Sequence, residues 1–291
     1  QKLTGRHPVE KTERQAASAP LKARIMLAHA YFQRVANANG IDILHVKGYA
    51  FGPEVYRPER HSTDVDLLVR PSHVDRFVQA LIAQGWSIQA HFETGSVFEH
   101  AMTLHHDAWG LTDIHRFFPG LGENHERVFE QLWLARTTRD IAHRPCTVPS
   151  VLDARVIVVL HRARAAAKYS SDLKYLNEIM SYSEWERVHD RALELHSGIA
   201  YAAAMGHLAA YRGHRDYLLW KAVSTKVPPY LLWFARVRSA RGIAEKARVI
   251  RNIALVNEDH LAMTLGHKPS RSEIWRQFFS RFGIKFPKGG K

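Results

Sequence analysis

The sequence predicts an α+β fold in two parts: a mixed β-sheet with flanking helices, followed by a region of helices alone. Two observations lead to this prediction. Up to residue 149, short β-branched and apolar runs alternate with amphipathic stretches, whereas beyond Pro149-Ser150 the apolar periodicity is helical almost throughout. We therefore divide the chain into a flexible polar leader over 1–20, an α+β domain over 21–149 and a helical domain over 150–291.

The elements of the first part follow from two repeating patterns. Apolar side chains at three- and four-residue spacing, as at Ile25, Ala28 and Phe32, are typical of amphipathic helices, and short β-branched runs are typical of strands. Ser72 is an expected N-cap, because Asp75 follows it by three residues. The predicted helices cover 21–39, 49–56 and 72–85. The predicted strands cover 41–46, 65–69, 86–90, 99–104 and 111–117.

The second part has no strand pattern and no internal repeat. Its predicted helices cover 151–169, 172–181, 184–195, 198–211, 215–224, 229–238, 242–265 and 271–282. Because ligands commonly bind where two lobes meet, we expect a site between this part and the sheet.

The charge of the chain is strongly positive and unevenly distributed. The net charge is +13, and residues 221–291 hold 15 Lys or Arg against 4 Asp or Glu, compared with 26 against 24 in the remainder. This asymmetry indicates either a polyanionic partner or arginine-coated, solvated helices. No apolar run approaches the roughly 20 residues of a membrane span, and the single Cys146 allows no internal disulfide. We therefore expect a cytoplasmic protein without a membrane span.

The segment 63–69, with the sequence TDVDLLV, indicates metal chemistry. Successive side chains of a strand point to opposite faces, so Asp64 and Asp66 share one face. Two acids on an apolar strand cost free energy unless a cation lies between them, and Mg²⁺ prefers carboxylate oxygens together with substrate phosphates. Asp113, beside apolar Ile114 in another predicted strand, is a third acid that a sheet can bring to the same place.

Two cationic residues lie near these acids in the sequence. Lys47-Gly48 ends the strand predicted at 41–46, where backbone N–H groups and an ammonium group can approach phosphates. Arg60 can hold a phosphate through a bidentate contact, or it can form a structural ion pair with a nearby carboxylate.

These residues together resemble a known family. The motifs are Lys47-Gly48, Tyr56, Arg60, Asp64-x-Asp66, Gly85-Trp86 and Asp113-x-His115. As a set they resemble the bacterial uncharacterised nucleotidyltransferases, of the nucleotidyltransferase superfamily with the DNA polymerase beta-like fold. The resemblance extends over about 25–180, and beyond that it consists of generic helices.

The resemblance implies roles for individual residues. Asp64 and Asp66 match the pair that binds two divalent metal ions, Mg²⁺ or alternatively Mn²⁺. Asp113 matches the third carboxylate, which shares one metal ion and helps to deprotonate the acceptor hydroxyl. Gly48 stands where the superfamily has a Gly-Ser turn touching the triphosphate; because this chain has Lys-Gly, Lys47 is expected to replace the serine contact.

A basic segment at the start of the second part resembles a histidine-rich or basic segment of the family that an Asp follows. Its members are His161, Arg162, Arg164 and Lys168, with Asp172 as the acid. We expect Lys168 and its neighbours to face the triphosphate or the base across the cleft. The alternative is surface charge paired along helices.

Other polar motifs give weaker predictions. Four histidines, at positions 100, 105, 106 and 115, lack a zinc-ligand spacing. His115 lies two residues after Asp113, so it either orients that acid, touches a ligand or serves as a structural histidine. The segment 119–122 lacks the pattern of a phosphate-binding loop and is predicted to be a turn. Cys146 is predicted to be inert.

The predicted reaction moves a nucleoside monophosphate from an NTP, with ATP expected, to an acceptor hydroxyl and releases pyrophosphate. Two alternatives stay open: a non-catalytic nucleotide- or RNA-binding protein with the same fold, and a phosphotransferase that uses the same acids. The acceptor is not defined by the sequence. An RNA or tRNA end would suit the basic C-terminal region, and a small molecule, a peptide or a protein side chain would suit it equally.

Overall fold

The structure is a computed structural model that describes residues 19–95, 97–122, 124–164, 170–225, 227–254, 261, 265 and 267–280. It has the predicted α+β class, with a mixed sheet and flanking helices followed by helices. The strands are β1 Ile43–Val46, β2 Val65–Val69, β3 Ser87–Ala90, β4 Ala101–His106, β5 Gly110–His115, β6 Thr137–Ile141 and β7 Arg144–Val148.

Helices surround the sheet and make up the second part. Those of the first part are α1 Leu21–Ala38, α2 Val74–Ile82, α3 Phe92–Gly95 and α4 His125–Leu134. Those of the second are α5 Val151–Ala163, α6 Ser170–Ile179, α7 Tyr182–Glu194, α8 Gly198–Met205, α9 Tyr217–Thr225, α10 Pro229–Ser239, α11 Gly242–Ala254 and α12 Arg271–Ser280. Short 3₁₀ turns occur at Gly48–Ala50, Pro71–His73 and Leu208–Tyr211.

The main sheet has the strand order β1-β2-β5-β4-β3. Strands β2 and β5 are parallel, and the other neighbouring pairs are antiparallel. In the parallel pair Asp66 is the register partner of Asp113, and on the other side Val46 of β1 is the partner of Asp66. The edge strand β1 and its neighbours β2 and β5 therefore bring the Lys47-Gly48, Asp64-x-Asp66 and Asp113-x-His115 motifs side by side.

The two faces of this sheet pack against different structures. One face, with Leu67 and Ile114, belongs to an apolar cluster that includes residues of α1 and α2. On the other face, Leu68 belongs to a second cluster that continues into α5, α7 and α8 of the helical part. Because that cluster extends over both parts, the helical region packs directly on the face that carries Asp66 and Asp113.

Several predicted elements need correction. Ser72 does not cap a helix: it lies in a 3₁₀ turn, its hydroxyl donates to Glu126, and α2 begins at Val74. The helix expected over 49–56 is only the 3₁₀ turn Gly48–Ala50. Helices α3 and α4 and the β6–β7 hairpin, which packs on α1 and β1, were not predicted. The leader up to residue 18 lies outside the described residues.

Candidate active site

Three side chains converge on the face of the sheet that the helical part covers. Because Asp66 and Asp113 are register partners in parallel strands, their side chains lie on the same face, and His115 follows two residues later on that face. One potential ligand atom from each of these three residues lies within 4.8 Å of the others. The predicted convergence of Asp66 and Asp113 is confirmed, and the roles of the two acids stay predictions.

Asp66 is buried and carries two close partners. The Lys47 ammonium forms an ion pair with its Oδ1 atom, and His115 Nε2 donates to the same oxygen at 2.8 Å. Burial by itself would raise the pKa of Asp66, but the Lys47 charge and the His115 hydrogen bond outweigh it and hold this pKa well below its usual range. Asp66 is therefore a fixed anion.

His115 does not orient Asp113, which was one of its predicted roles. Its Nε2–H group is directed at Asp66, and Asp113 instead accepts a hydrogen bond of 2.6 Å from Thr103 Oγ1, on the antiparallel neighbour β4. Burial lowers the pKa of His115 despite the adjacent carboxylate. The buried Nδ1 atom of His115 has no hydrogen-bond partner among the residues that the structure describes. His115 thus orients Asp66 as a neutral imidazole.

Asp64 lies immediately before β2 and is partly exposed. Its burial, followed by the charges of Asp66 and Asp113, raises its pKa to about 6, while Lys47 and Arg60 act in the opposite direction. Asp64 is therefore close enough to both other acids for their charges to repel its own. Its oxygens do not belong to the compact group formed by the other two acids and His115.

The turn before the acids has a left-handed backbone at two consecutive residues. Lys47 has φ 68° and Gly48 has φ 55°. A Cβ atom at Gly48 would lie 2.8 Å from Ser62 Oγ, and that hydroxyl donates to the backbone carbonyl of Asp64 at 2.9 Å. Ser62 therefore brings a hydroxyl beside Gly48 from the following loop. Ser62 was not predicted from the sequence, although its position two residues before Asp64 was a usable signal.

Arg60 joins the first part to the second. Its guanidinium forms an ion pair with Asp172 of α6, with an N···O distance of 3.3 Å, and lies 3.9 Å from the centroid of the Tyr56 ring. The alternative of an ion pair with a carboxylate is thus confirmed, with Asp172 as the partner. Its contact with a phosphate stays a prediction.

Neutral histidines and an arginine border the acids on the side of α5. Arg164 Nη1 donates to His100 Nε2 at 2.8 Å, and the His100 ring lies 5.1 Å from the ring of His115. Burial, reinforced by Arg164, holds the pKa of His100 far below its usual range. Burial and the nearby Lys47 charge likewise lower the pKa of His161. The side of the site toward α5 therefore contributes hydrogen-bonding groups, and its positive charge comes from arginine.

The remaining sequence motifs have simple outcomes. Lys168 lies outside the described residues. The segment 119–122 forms a turn, closed by the Leu121 N–H group donating to the carbonyl of Phe118. Cys146 is buried, and burial raises the pKa of its thiol to about 12, which fits an inert residue. Within the part of the chain that the structure describes, no helix is long and apolar enough to cross a bilayer.

In proteins Mg²⁺ is commonly held by one or two carboxylates together with substrate phosphates, and successive backbone N–H groups of a turn can form anion-binding concavities. Residues 9–213 match the family described as uncharacterised nucleotidyltransferase, and the chain belongs to that family. No functionally curated protein matches it.

One solved structure similar to this chain is the lincosamide antibiotic adenylyltransferase LnuA with lincomycin bound. The TM-score is 0.36 and the sequence identity is 18%, over 52% of this chain and 94% of LnuA.

Proposed function

We propose that this protein is a Mg²⁺-dependent nucleotidyltransferase that moves a nucleoside monophosphate from an NTP, with ATP as the favoured donor, to an acceptor hydroxyl with release of pyrophosphate. The observation that supports this most strongly is the register pairing of Asp66 with Asp113 across parallel strands, beside the Lys47-Gly48 turn. This pairing lies in a chain of the nucleotidyltransferase family.

The donor set fits a divalent cation. Oxygens of Asp66 and Asp113 lie close together, and the raised pKa of Asp64 reports that burial and its acidic neighbours leave its negative charge poorly compensated. Carboxylate oxygens are the ligands that Mg²⁺ prefers, and we assign Asp64, Asp66 and Asp113 to hold it. Mg²⁺ bound there would supply charge for the phosphate oxygens and activate the attacking hydroxyl.

The chain's own residues divide the remaining tasks. His115 and Thr103 fix the orientation of Asp66 and Asp113 through their hydrogen bonds. Asp113 is partly exposed and is the acid we assign to accept the proton of the acceptor hydroxyl. Lys47 and Arg60 supply cationic groups for the triphosphate, and Gly48 allows its backbone to approach closely because it has no Cβ.

A label on the α-phosphate of ATP tests this proposal. The full chain is incubated with Mg²⁺, α-labelled ATP and a cell extract, and the products are separated. We expect label on an acceptor and an equal amount of pyrophosphate, both lost when EDTA removes the metal ion. Transfer of a γ-label together with ADP would identify a phosphotransferase, and nucleotide binding with no product would identify a binding protein. Either outcome contradicts the proposal.

A further inference from the structure

A cleft lies beyond the C-terminal end of β5, between the sheet and helices α9 to α11. It has two chambers, of about 440 and 720 Å³, which share the side chains of Phe98, Phe117, His125, Leu219, Ser239 and Glu245. We call it the Arg116 cleft. The proposed function uses none of its lining residues, and from the sequence some of them were considered only as the turn 119–122 or as part of the basic C-terminal region.

Arg116, which follows β5, has an unusual environment in this cleft. Its guanidinium packs against aromatic rings, with its carbon 4.6 Å from the centroid of Phe92 and 5.9 Å from that of Phe117. Among the described residues no carboxylate lies within ion-pair distance of it. Burial of this charge lowers the pKa of Arg116, an effect that Glu93 and Glu99 oppose only through space. A bound anion would therefore stabilise this partly buried guanidinium, because it would supply the charge-assisted hydrogen bonds that no carboxylate in the described part of the chain provides.

The other charges of the cleft are largely matched with one another. Buried Glu99 accepts from Asn252 and forms ion pairs with Arg236 and Arg248, and Glu245 accepts a hydrogen bond from the backbone N–H group of Arg241. In total, five arginines and three carboxylates line the two chambers. A polyanion would meet all three carboxylates, whereas one small anion at Arg116 would not. This lining therefore favours a small molecule over RNA.

The floor of the cleft suits an apolar or aromatic body. The Phe117 and His125 rings are stacked, with centroids 4.1 Å apart and an interplanar angle of 6°. Phe98 lies against Trp220, with ring centroids 5.4 Å apart. Phe98, Phe117, His125 and Leu219 line both chambers, and Trp220 lines the larger one, so both chambers offer non-charged side chains to an apolar or aromatic ligand body.

The cleft is adjacent to the acids. His100 contacts both the site and the cleft, because its ring lies 5.1 Å from His115 and 6.2 Å from Phe117. Arg116 is three positions after Asp113, so at the strand rise of about 3.3 Å per residue their backbones are about 10 Å apart, although strand alternation directs the two side chains to different sides. The cleft and the group of acids are therefore neighbours, with the buried His100 ring between them.

We infer that the Arg116 cleft binds the acceptor, and that the acceptor is a small molecule with an apolar or aromatic body and one anionic group, a carboxylate or a phosphate, held by Arg116. The role as acceptor rests on the proposed function, whereas binding of an anionic small molecule at Arg116 does not depend on it. The two hypotheses can therefore fail separately.

Direct binding tests the cleft without turnover. Phenyl phosphate, phenylacetate and the neutral benzyl alcohol are titrated against the full chain by ligand-observed NMR, and a single-stranded RNA hexamer serves as the polyanion. We expect at least one of the two anions to bind about tenfold more tightly than benzyl alcohol, and the tighter anion identifies the kind of group. Equal binding of the anions and benzyl alcohol would overturn the inference.

Arginine variants test whether the anionic probes bind in the Arg116 cleft. Arg116→Gln is expected to weaken binding of the anionic probes at least about tenfold, while Arg116→Lys retains part of it. Arg127→Gln, which removes an exposed arginine of α4, is the matched control and should bind as the wild type does. Should Arg116→Gln not fold, Arg248→Gln alters a cleft arginine with a 44% exposed side chain, and a loss of about threefold is expected. Unchanged binding in the folded cleft variant would overturn the inference, as would tighter, Arg116-dependent binding of RNA.

A competition experiment tests whether the Arg116 cleft binds the acceptor during nucleotide transfer. The bound anionic probe should reduce labelling in the small-molecule fraction of the extract, and Mg²⁺–ATP binding should be unaffected by Arg116→Gln. Label confined to RNA, or labelling that the probe does not reduce, contradicts the acceptor role. If no fraction is labelled while the probes still bind through Arg116, it is the proposed transfer that fails.

Discussion

The two faces of the central sheet both bury polar side chains, but they do so in different ways. On the face toward α1, His45 of β1 pairs with His29 of α1, their Nδ1 atoms 2.9 Å apart, and the group carries no charge. On the face toward the helical part, Lys47 and Asp66 form a buried ion pair beside acids that are partly exposed. A closed, neutral cluster is what a structural role requires, whereas unbalanced charge open to solvent suits ligand binding.

The hydrogen-bond roles of the histidine pair follow from its neighbours. Gln33 Nε2 donates to Asn37, so its Oε1 atom faces His45 Nε2 at 3.2 Å and also accepts from the backbone of Thr147. His45 Nε2 must then carry a proton, its Nδ1 atom must accept, and His29 Nδ1 must donate. This network leaves no site for a further proton except His29 Nε2, which is buried without a partner among the described residues.

The largest difference between the two faces should appear in activity. Asp113→Asn removes a charge but little volume, and we expect the rate of pyrophosphate release to fall roughly 10²- to 10³-fold or more. The double variant His29→Leu/His45→Leu should keep most of the activity per folded molecule, because neither side chain faces the acids.

Asp107→Asn is the matched control for this comparison, since Asp107 is fully exposed in the turn between β4 and β5. Initial rates at saturating Mg²⁺–ATP are measured for all three proteins. Equal losses in the Asp113 variant and in the histidine variant would remove the distinction between the faces.

The ion pair on the charged face should dominate its stability. Lys47→Met leaves the Asp66 carboxylate buried at 6% exposure without its cation, which is expected to cost about 3–5 kcal/mol. Adding Asp66→Asn to this variant should recover a large part of that loss, because the uncompensated charge disappears. Urea unfolding of the wild type, both single variants and the double variant gives the coupling free energy. Strictly additive losses would show that the two residues do not stabilise each other.

Asp64 should give the charged face its own pH dependence. Because its folded-state pKa of about 6 lies above the ordinary 3.8, its favourable contribution is complete only below pH 3.8 and is lost as the pH rises through 6. In EDTA, Asp64→Asn should therefore stabilise the protein at pH 7.5 by about 1–2 kcal/mol and have no effect near pH 3.5. Asp107→Asn should change stability at neither pH, and a destabilised Asp64 variant at pH 7.5 would contradict the repulsion.

The sequence identified the acids and made their convergence a hypothesis, but it fixed neither the strand pairing that brings them together nor their partners. Strand alternation and apolar flanks identified β2 and β5, and a parallel pairing then brought Asp66 opposite Asp113. The Arg60–Asp172 ion pair joins residues 112 positions apart, and it depends on how the helical part packs on the sheet. Nothing local in the sequence fixes such a contact.

The missed elements have two different causes. Helix α4 had a usable signal, since Asn124 caps it and Val128 and Leu132 recur at helical spacing on its buried side. The β6–β7 hairpin had none, because its turn places Ala142 and His143 at positive φ, where Asn or Gly would be the expected residues. Its strands were therefore not separated by any recognisable turn sequence.

The neutral face should show the opposite pH dependence from Asp64. Burial lowers the pKa of His29 from 6.5 to about 4, although Asp66 beyond the sheet acts to raise it. Protons therefore bind the unfolded chain first, so the contribution of neutral His29 to stability is complete above pH 6.5 and falls by about 2–3 kcal/mol as the pH drops to 4. The double variant His29→Leu/His45→Leu should lose this part of the pH dependence, whereas Asp64→Asn should retain it. Unfolding free energies at pH 7.5, 5.5 and 4.5 for the three proteins provide the measurement. If the histidine variant followed the wild type over this range, the buried pair would not be the group that titrates, and the neutrality that separates this face from the charged one would have to be abandoned.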